Sequence, residues 1–150
     1  MKLLWHIIIG RSVRAILIYR ISAWCYRNHL RPLAHFFWSM NLLLHSIEIS
    51  PLARIGPGLV IPHTLGIVIG GGAVIGRDVT IYQNVTIGTK NGKDYRYPSI
   101  GDNTVLFSGC VVVGPIKIGN NAVVGANAVV VSDVPNDSIA LGIPAVVKNK

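Results

Sequence analysis

The chain has 150 residues, is 51% hydrophobic and only 13% charged, and carries a formal net charge of +8. This balance is the reverse of a disordered chain's, so the chain can bury a core, and its length suits one domain with a short appendage. The positive charge comes with no zinc-binding spacing and no recognised nucleic-acid motif, so nucleic acid is not the expected partner.

The charge is uneven along the chain. Residues 1–47 hold Lys2, Arg11, Arg14, Arg20, Arg27 and Arg31 and no acid; the first carboxylate is Glu48. An apolar run over residues 3–9 stops at Gly10-Arg11 without a small-residue cleavage site. A spanning helix needs about 20 apolar residues, and Arg11, Arg14 and Arg20 interrupt any such window. Neither a signal peptide nor a transmembrane helix is expected.

Residues 1–47 read as a helical segment. Val13, Ile16, Leu17, Ile21 and Trp24 recur at steps of three and four, which lines one face of a helix. Pro32 suits the first turn of a second helix, with Leu33, Phe36, Phe37, Met40, Leu43 and Leu44 as its apolar face. These faces are expected to pack on the following domain or on a neighbouring subunit. The alternative is peripheral contact with an anionic membrane surface through the basic side and Trp5, Trp24 and Trp38. Cys25 and Cys110 are far apart and form no CxxC pair, which fits reduced thiols in a cytoplasmic protein; contact with a membrane would place it at the inner face.

From Ile49 a period of six replaces the helical one. Ile49, Ile55, Ile61 and Ile67 are followed, after a slip of two, by Ile69, Ile75, Ile81 and Ile87, and then by Ile100, Leu106, Val112, Ile118, Val124 and Val130. Short strands joined by sharp turns, three to a coil of about eighteen residues, stack into a triangular prism with one aliphatic per face pointing inward. Asn84, Asn103, Asn120, Asn121 and Asn127 suit the turns, since asparagine tolerates positive φ. The predicted fold is mainly β: a left-handed parallel β-helix of hexapeptide repeats over residues 48–150, preceded by a short α-helical segment. Residues 89–99 are polar, break the repeat and are expected to protrude as a loop. The helical segment is the natural cap for the first coil, and residues 135–150 leave the repeat and close the other end.

His63 is the only histidine beyond residue 47. Two places after an inward isoleucine, it belongs near a turn where side chains emerge, and an imidazole accepts a hydroxyl proton near neutral pH. Cys110 is a possible acyl-enzyme nucleophile, but four residues after Leu106 it fits core packing better. A metal-dependent hydrolase needs several histidine ligands, and this β-helix has one, so no metal is expected.

Residues 47–147 resemble the catalytic domain of serine acetyltransferases and related hexapeptide O-acetyltransferases. The matching stretches are Ile55-Gly56-Pro57-Gly58, His63 with Gly66-Ile67-Val68-Ile69-Gly70, Asp78 through Gly88, Arg96-Tyr97-Pro98 and Gly142-Ile143-Pro144-Ala145. Tyr19-Arg20-Ile21 with Trp24 resembles the last helices of that family's N-terminal domain. The resemblance implies a histidine–carboxylate dyad of His63 and Glu48, fifteen residues apart, with Asp78 as a rival orienter more suited to a turn. It implies acetyl-CoA as co-substrate and direct attack by an acceptor hydroxyl on the thioester. It also implies a homotrimer, or a dimer of trimers, with CoA in a groove between subunits. Ser108, Gly109, Gly125 and Ala126 would line the pantetheine channel, and the basic tail, Lys148 and Lys150, would meet the phosphates; Val146 stands where the family often has an arginine. Phe107, Val111 and Val113 would lie on a subunit-facing surface.

Two departures bear on the acceptor. Pro62 replaces the family's aspartate before the histidine, and Tyr97 replaces the histidine of an Arg-His-Pro segment. Both missing groups help hold serine, leaving Arg96 to meet a carboxylate. The sequence therefore favours a saccharide acceptor in surface-polysaccharide synthesis, with serine as the alternative and a non-catalytic hexapeptide scaffold as the rival class.

Overall fold

The computed structural model describes residues 10–91 and 94–149. Lys2, Trp5, Lys93 and Lys150 lie outside the described residues. Among the described residues two helices, α1 (Arg11–Arg27) and α2 (Arg31–His45), precede fourteen short strands. The first strand, β1 (Ile47–Ile49), follows directly on Ser46, whose left-handed backbone ends α2.

The strands form three sheets that wind as a left-handed parallel β-helix. The first sheet is ordered β1, β3 (Ile67–Ile69), β6 (Thr86–Gly88), β9 (Val111–Val113), β12 (Val129–Val130). The second contains β2 (Arg54–Ile55), β4 (Val74–Ile75), β7 (Ser99–Ile100) and β10 (Lys117–Ile118). The third runs from β5 (Thr80–Ile81) through β8 (Val105–Leu106), β11 (Val123–Val124) and β13 (Ser138–Leu141) to β14 (Val146–Asn149). Every pairing is parallel except β13 with β14, where the chain turns back on itself.

Each face stacks one aliphatic column. Ile49, Ile69, Ile87, Val112 and Val130 are in register on the first face; Ile55, Ile75, Ile100 and Ile118 on the second; Ile81, Leu106, Val124 and Ala140 on the third. All of them are buried. Full burial of one such side chain is worth roughly 1.5–3 kcal/mol, so the repeated column is what makes a stack of two-residue strands stable. A second buried column lies two residues earlier: Ile47, Ala53, Leu59, Ile67, Ala73, Val79 and their successors.

This second column revises the predicted register. Ile67 pairs with Ile47, not with an equivalent of Ile61. From Val60 to Val68 the chain advances eight residues, while their partners Thr80 and Thr86 are six apart. The corner holding Pro62 and His63 is thus two residues longer than the one below it. The polar interruption is also shorter than expected, because Ser99 already belongs to β7 and pairs with Val74.

Left-handed residues stack at two of the three corners. Ser46, Gly66, Asn84, Gly109 and Asn127 have positive φ along the edge before the first sheet, and Gly58, Asp78, Asn103, Asn121 and Asp137 along the edge before the third. Asp78 is therefore a turn residue. Asn120 sits in a turn as expected but without positive φ; its Oδ1 accepts from the Asp102 N–H at 2.8 Å, tying one coil to the next.

The helices pack on the first coil through faces the apolar pattern did not indicate. On α1 the buried residues are Ala15, Tyr19, Ser22, Ala23 and Cys25, and on α2 they are Ala34, Asn41 and His45. The Tyr19 hydroxyl donates to the Ala53 carbonyl at 2.8 Å, and the Arg20 guanidinium donates to the carbonyls of Ile55 and Gly56. Small side chains let the helices approach closely, and the polar ones satisfy backbone carbonyls that a coil without a preceding coil would leave bare. Of the predicted stripes, Val13, Leu17, Ile21, Trp24, Leu33, Phe36, Leu43 and Leu44 stay exposed, while Ile16 packs partly buried against the core and Phe37 and Met40 are half-buried. Among the described residues no helix is long and apolar enough to cross a membrane.

Candidate active site

The extended corner, residues 62–66, projects from the prism just before β3. Pro62 and His63 are both exposed, while Thr64 turns inward and is buried. The corner is anchored above by the Gly66 N–H, which donates to the Ser46 carbonyl at 2.8 Å, and below by the Asn84 N–H, which donates to the Leu65 carbonyl at 2.8 Å. The two extra residues therefore bulge outward between fixed points, presenting the imidazole on a rigid edge.

Glu48 is the middle residue of β1. Its neighbours Ile47 and Ile49 are buried, so its carboxylate stands on the outer side of the first sheet, opposite Val68. It lies two residues beyond Ser46, the anchor of the His63 corner. Ile47 pairs with Ile67, so Glu48 on β1 and His63 at the corner before β3 fall at the beginning and the end of one turn of the prism; among the described residues no hydrogen bond joins them.

The His63 edge carries the residues expected to line the pantetheine channel. The Gly109 N–H donates to the Gln83 carbonyl at 3.0 Å, and the Asn127 N–H to the Ser108 carbonyl at 2.9 Å. These bonds stack Ser108 and Gly109 beneath Gln83 and Asn84, and Ala126 and Asn127 beneath them. Gly125 is buried: a Cβ there would meet Leu141 at 2.2 Å. The ring of Tyr82 stacks on Phe107 at 5.1 Å on this edge. Gln83, which the repeat pattern did not single out, has a buried Oε1 with no partner. A carboxamide between two turn residues was the only signal for it in the sequence. Lys148 sits in β14, opposite Ile139 at the far end of the third sheet.

Arg96 and Tyr97 are at the other edge. The loop leaves the first sheet after Gly88 and returns at Ser99. Tyr97 lies across Gly70 and Gly72, where an added Cβ would come within 2.2 Å of its ring. Arg96 is exposed and paired with Asp94 at 2.8 Å. That carboxylate holds the Arg96 charge above its ordinary range, and the guanidinium holds Asp94 below the usual carboxylate range, in each case first through the hydrogen bond between them. Within one chain, then, the loop residues and His63 flank the first sheet from opposite sides.

Cys110 is wholly buried in the column below Val85, and burial pushes its thiol up to about 12. A thiol so far from ionisation is not a nucleophile at neutral pH.

The bacterial transferase hexapeptide (six repeats) family model matches residues 97–132. A serine acetyltransferase of Helicobacter pylori is 40% identical over 132 residues, which is 87% of this chain and 77% of that protein. Soybean serine acetyltransferase complexed with serine superposes with a TM-score of 0.90 at 36% identity, over 95% of this chain and 60% of the other. A serine acetyltransferase in complex with CoA gives 0.89 at 32% identity, over 96% and 60%. The chain spans little more than half of some curated relatives, 54% of one from Synechococcus elongatus and 58% of one from Mycobacterium tuberculosis. With the repeat, the His63 corner and these relatives in agreement, the chain belongs to the serine acetyltransferase family.

Proposed function

We propose that the protein is an acetyl-CoA-dependent O-acetyltransferase and that its acceptor is serine. The observation that supports this is the corner before the first sheet, where His63 stands exposed above the stacked turns of Ser108, Gly109 and Ala126, with Glu48 on the adjoining face. The acceptor hydroxyl gives its proton to His63 as its oxygen attacks the thioester carbonyl. Glu48 steadies the resulting imidazolium across the corner. Collapse of the tetrahedral intermediate transfers the acetyl group and expels CoA thiolate, which takes the proton back from His63. Acetyl-CoA would lie along the edge below the imidazole, where the backbone of Ser108 and Gly109 lets a narrow pantetheine chain approach.

Serine as the acceptor is supported by the named relatives, whereas nothing among them supports the saccharide expected from Pro62 and Tyr97. A homotrimer completes this reading. The His63 edge and the loop edge flank one sheet, and threefold packing would set one subunit's Arg96 and Tyr97 against the next subunit's His63.

The test is thiol release from acetyl-CoA by the purified protein, with L-serine and then with simple sugars. Serine-dependent release should fall by about 100-fold or more in His63→Ala, the range of a lost general base. Release with a sugar and none with serine would move the acceptor to a saccharide. Failure of acetyl-CoA to bind at all would overturn the enzyme reading.

A further inference from the structure

A concavity lies away from the His63 edge, between the turn that joins the two helices and the first coil. It has a volume of about 360 Å³ and is walled by Tyr26, Arg27, His29, Arg31, Leu52 and Arg54. Small-ligand sites begin near this size, at roughly 300 Å³. Three guanidiniums and an imidazole line it, and no carboxylate does. The whole stretch from residue 10 to residue 47 contains no acid that could neutralise them. The ion pair between Arg96 and Asp94 belongs to the distant loop.

Two further features add to this positive charge. The α2 helix begins at Arg31 with no capping side chain and no acidic residue in its first turn, so the positive end of the helix stands in the wall uncompensated. At the end of α1 the opposing carbonyls are already used: Trp24 O accepts from the Asn28 backbone and side chain at 3.1 and 2.8 Å, and Tyr26 O accepts from His29 at 3.2 Å. The floor is firm, because Ala53 is buried and held by the Tyr19 hydroxyl. Arg31 lies over the Tyr26 ring, 5.9 Å from its centroid, which restrains its fork.

We infer that this cavity binds an organic phosphate or diphosphate. Arginines lining one cavity can match phosphate oxygens two at a time, and three cations call for more than the single charge of a carboxylate. The space exceeds that of one phosphate, and Tyr26 with Leu52 offers an apolar wall for the group it is attached to. The source is a soluble phosphate ester or a lipid headgroup; exposed Trp24, Leu30 and Leu33 border the helix turn and would suit the latter. The site stands independently of the acetyl transfer proposed above.

The experiment titrates the whole protein with inorganic pyrophosphate by calorimetry at low salt, and separately sediments it with phosphatidylcholine vesicles with and without phosphatidylglycerol. The variant is Arg27→Gln/Arg54→Gln, two exposed side chains whose loss leaves the core intact, checked by circular dichroism. The control is Lys90→Gln/Lys117→Gln, which removes the same charge elsewhere. Pyrophosphate binding at least about tenfold weaker in the arginine variant than in the lysine variant is the expected result, since charge-assisted fork contacts are the strong ones. Arginine-dependent sedimentation only with phosphatidylglycerol, reversed by pyrophosphate, assigns the site to a headgroup; pyrophosphate binding without sedimentation assigns it to a soluble ester. No pyrophosphate binding, or equal weakening in both variants, overturns the proposal.

Discussion

Gly72→Ala tests the loop without touching any proposed catalytic group. Tyr97 lies flat on the backbone of Gly70 and Gly72, and a methyl at residue 72 would sit 2.2 Å from Cδ2 of the ring. Ordinary contact begins at 3.4 Å, so the ring must retreat by more than about 1 Å. Gly72 has no positive φ, so alanine is not itself strained there. The yielding group is a half-buried side chain on a loop, which keeps the stability cost near 1 kcal/mol or below. The cost should appear in function instead. A displacement of about 1 Å in a substrate-positioning group lowers rates by up to about 100-fold. The kcat/KM for the acceptor should therefore fall by about tenfold to 100-fold, with KM for acetyl-CoA unchanged. Tyr97→Ala should show a similar loss. The double variant should be no worse than Tyr97→Ala alone, because the ring that the methyl strikes is gone. Wild-type acceptor kinetics in Gly72→Ala, or strictly additive losses in the double variant, would refute the placement of Tyr97 at the acceptor.

Three further outcomes follow from other parts of the prism. Cys110, with its thiol at about 12, should resist iodoacetamide at neutral pH until the protein unfolds, and Cys110→Ala should keep kcat within about twofold. Gly109→Ala forces a side chain onto a φ of +71° and a Cβ within 2.1 Å of Asn127 Oδ1, so it should lower stability by about 2 kcal/mol or more in urea unfolding. His45 is buried, and its imidazole is held below the usual histidine range first by burial and then by Arg14 and Arg11. The unfolded chain takes up a proton near pH 6.5 that the folded chain refuses, so this contribution is complete above that pH and is lost as the pH falls below it, by at most about 1.4 kcal/mol per unit. His45→Gln should flatten the fall in urea midpoint between about pH 7.5 and about pH 5.5.

The sequence made the prism readable because a period of six does not fit a helix and turn residues recurring within it rule out long strands, and every aliphatic in that run is buried. The edge was legible where it follows from the repeat: Ser108, Gly109 and Ala126 fall on it because their offsets from inward residues are fixed, while the roles proposed for them and for His63 come from the family resemblance. What escaped was whatever depended on a break in the period. The two-residue extension of the His63 corner looked like a slip between Ile67 and Ile69, and the pairing of Ile67 with Ile47 moves it to the corner before Ile67. The helices misled for a different reason. Their most apolar stripe is not the one that docks, since Ala15, Tyr19 and Ala34 fit against the coil better than larger side chains do. The basic cavity joins residues from two helices and a strand, a juxtaposition that no local pattern encodes.

The returning hairpin at the far end has a consequence for how the molecules behave in a crowd. A stack of parallel coils ends in bare strand edges, each a template on which another chain could add and propagate into fibres. Here each edge is occupied from within. Gly142 and Ala145 bond to Val129 on the first sheet, and Val134 bonds to Lys117 and Gly119 on the second. On the third, β14 runs antiparallel against β13, reversing the direction in which the next coil would grow, and places Lys148 in that last strand. The turn-back therefore offers an incoming coil an antiparallel strand in place of the parallel template on which the stack grows.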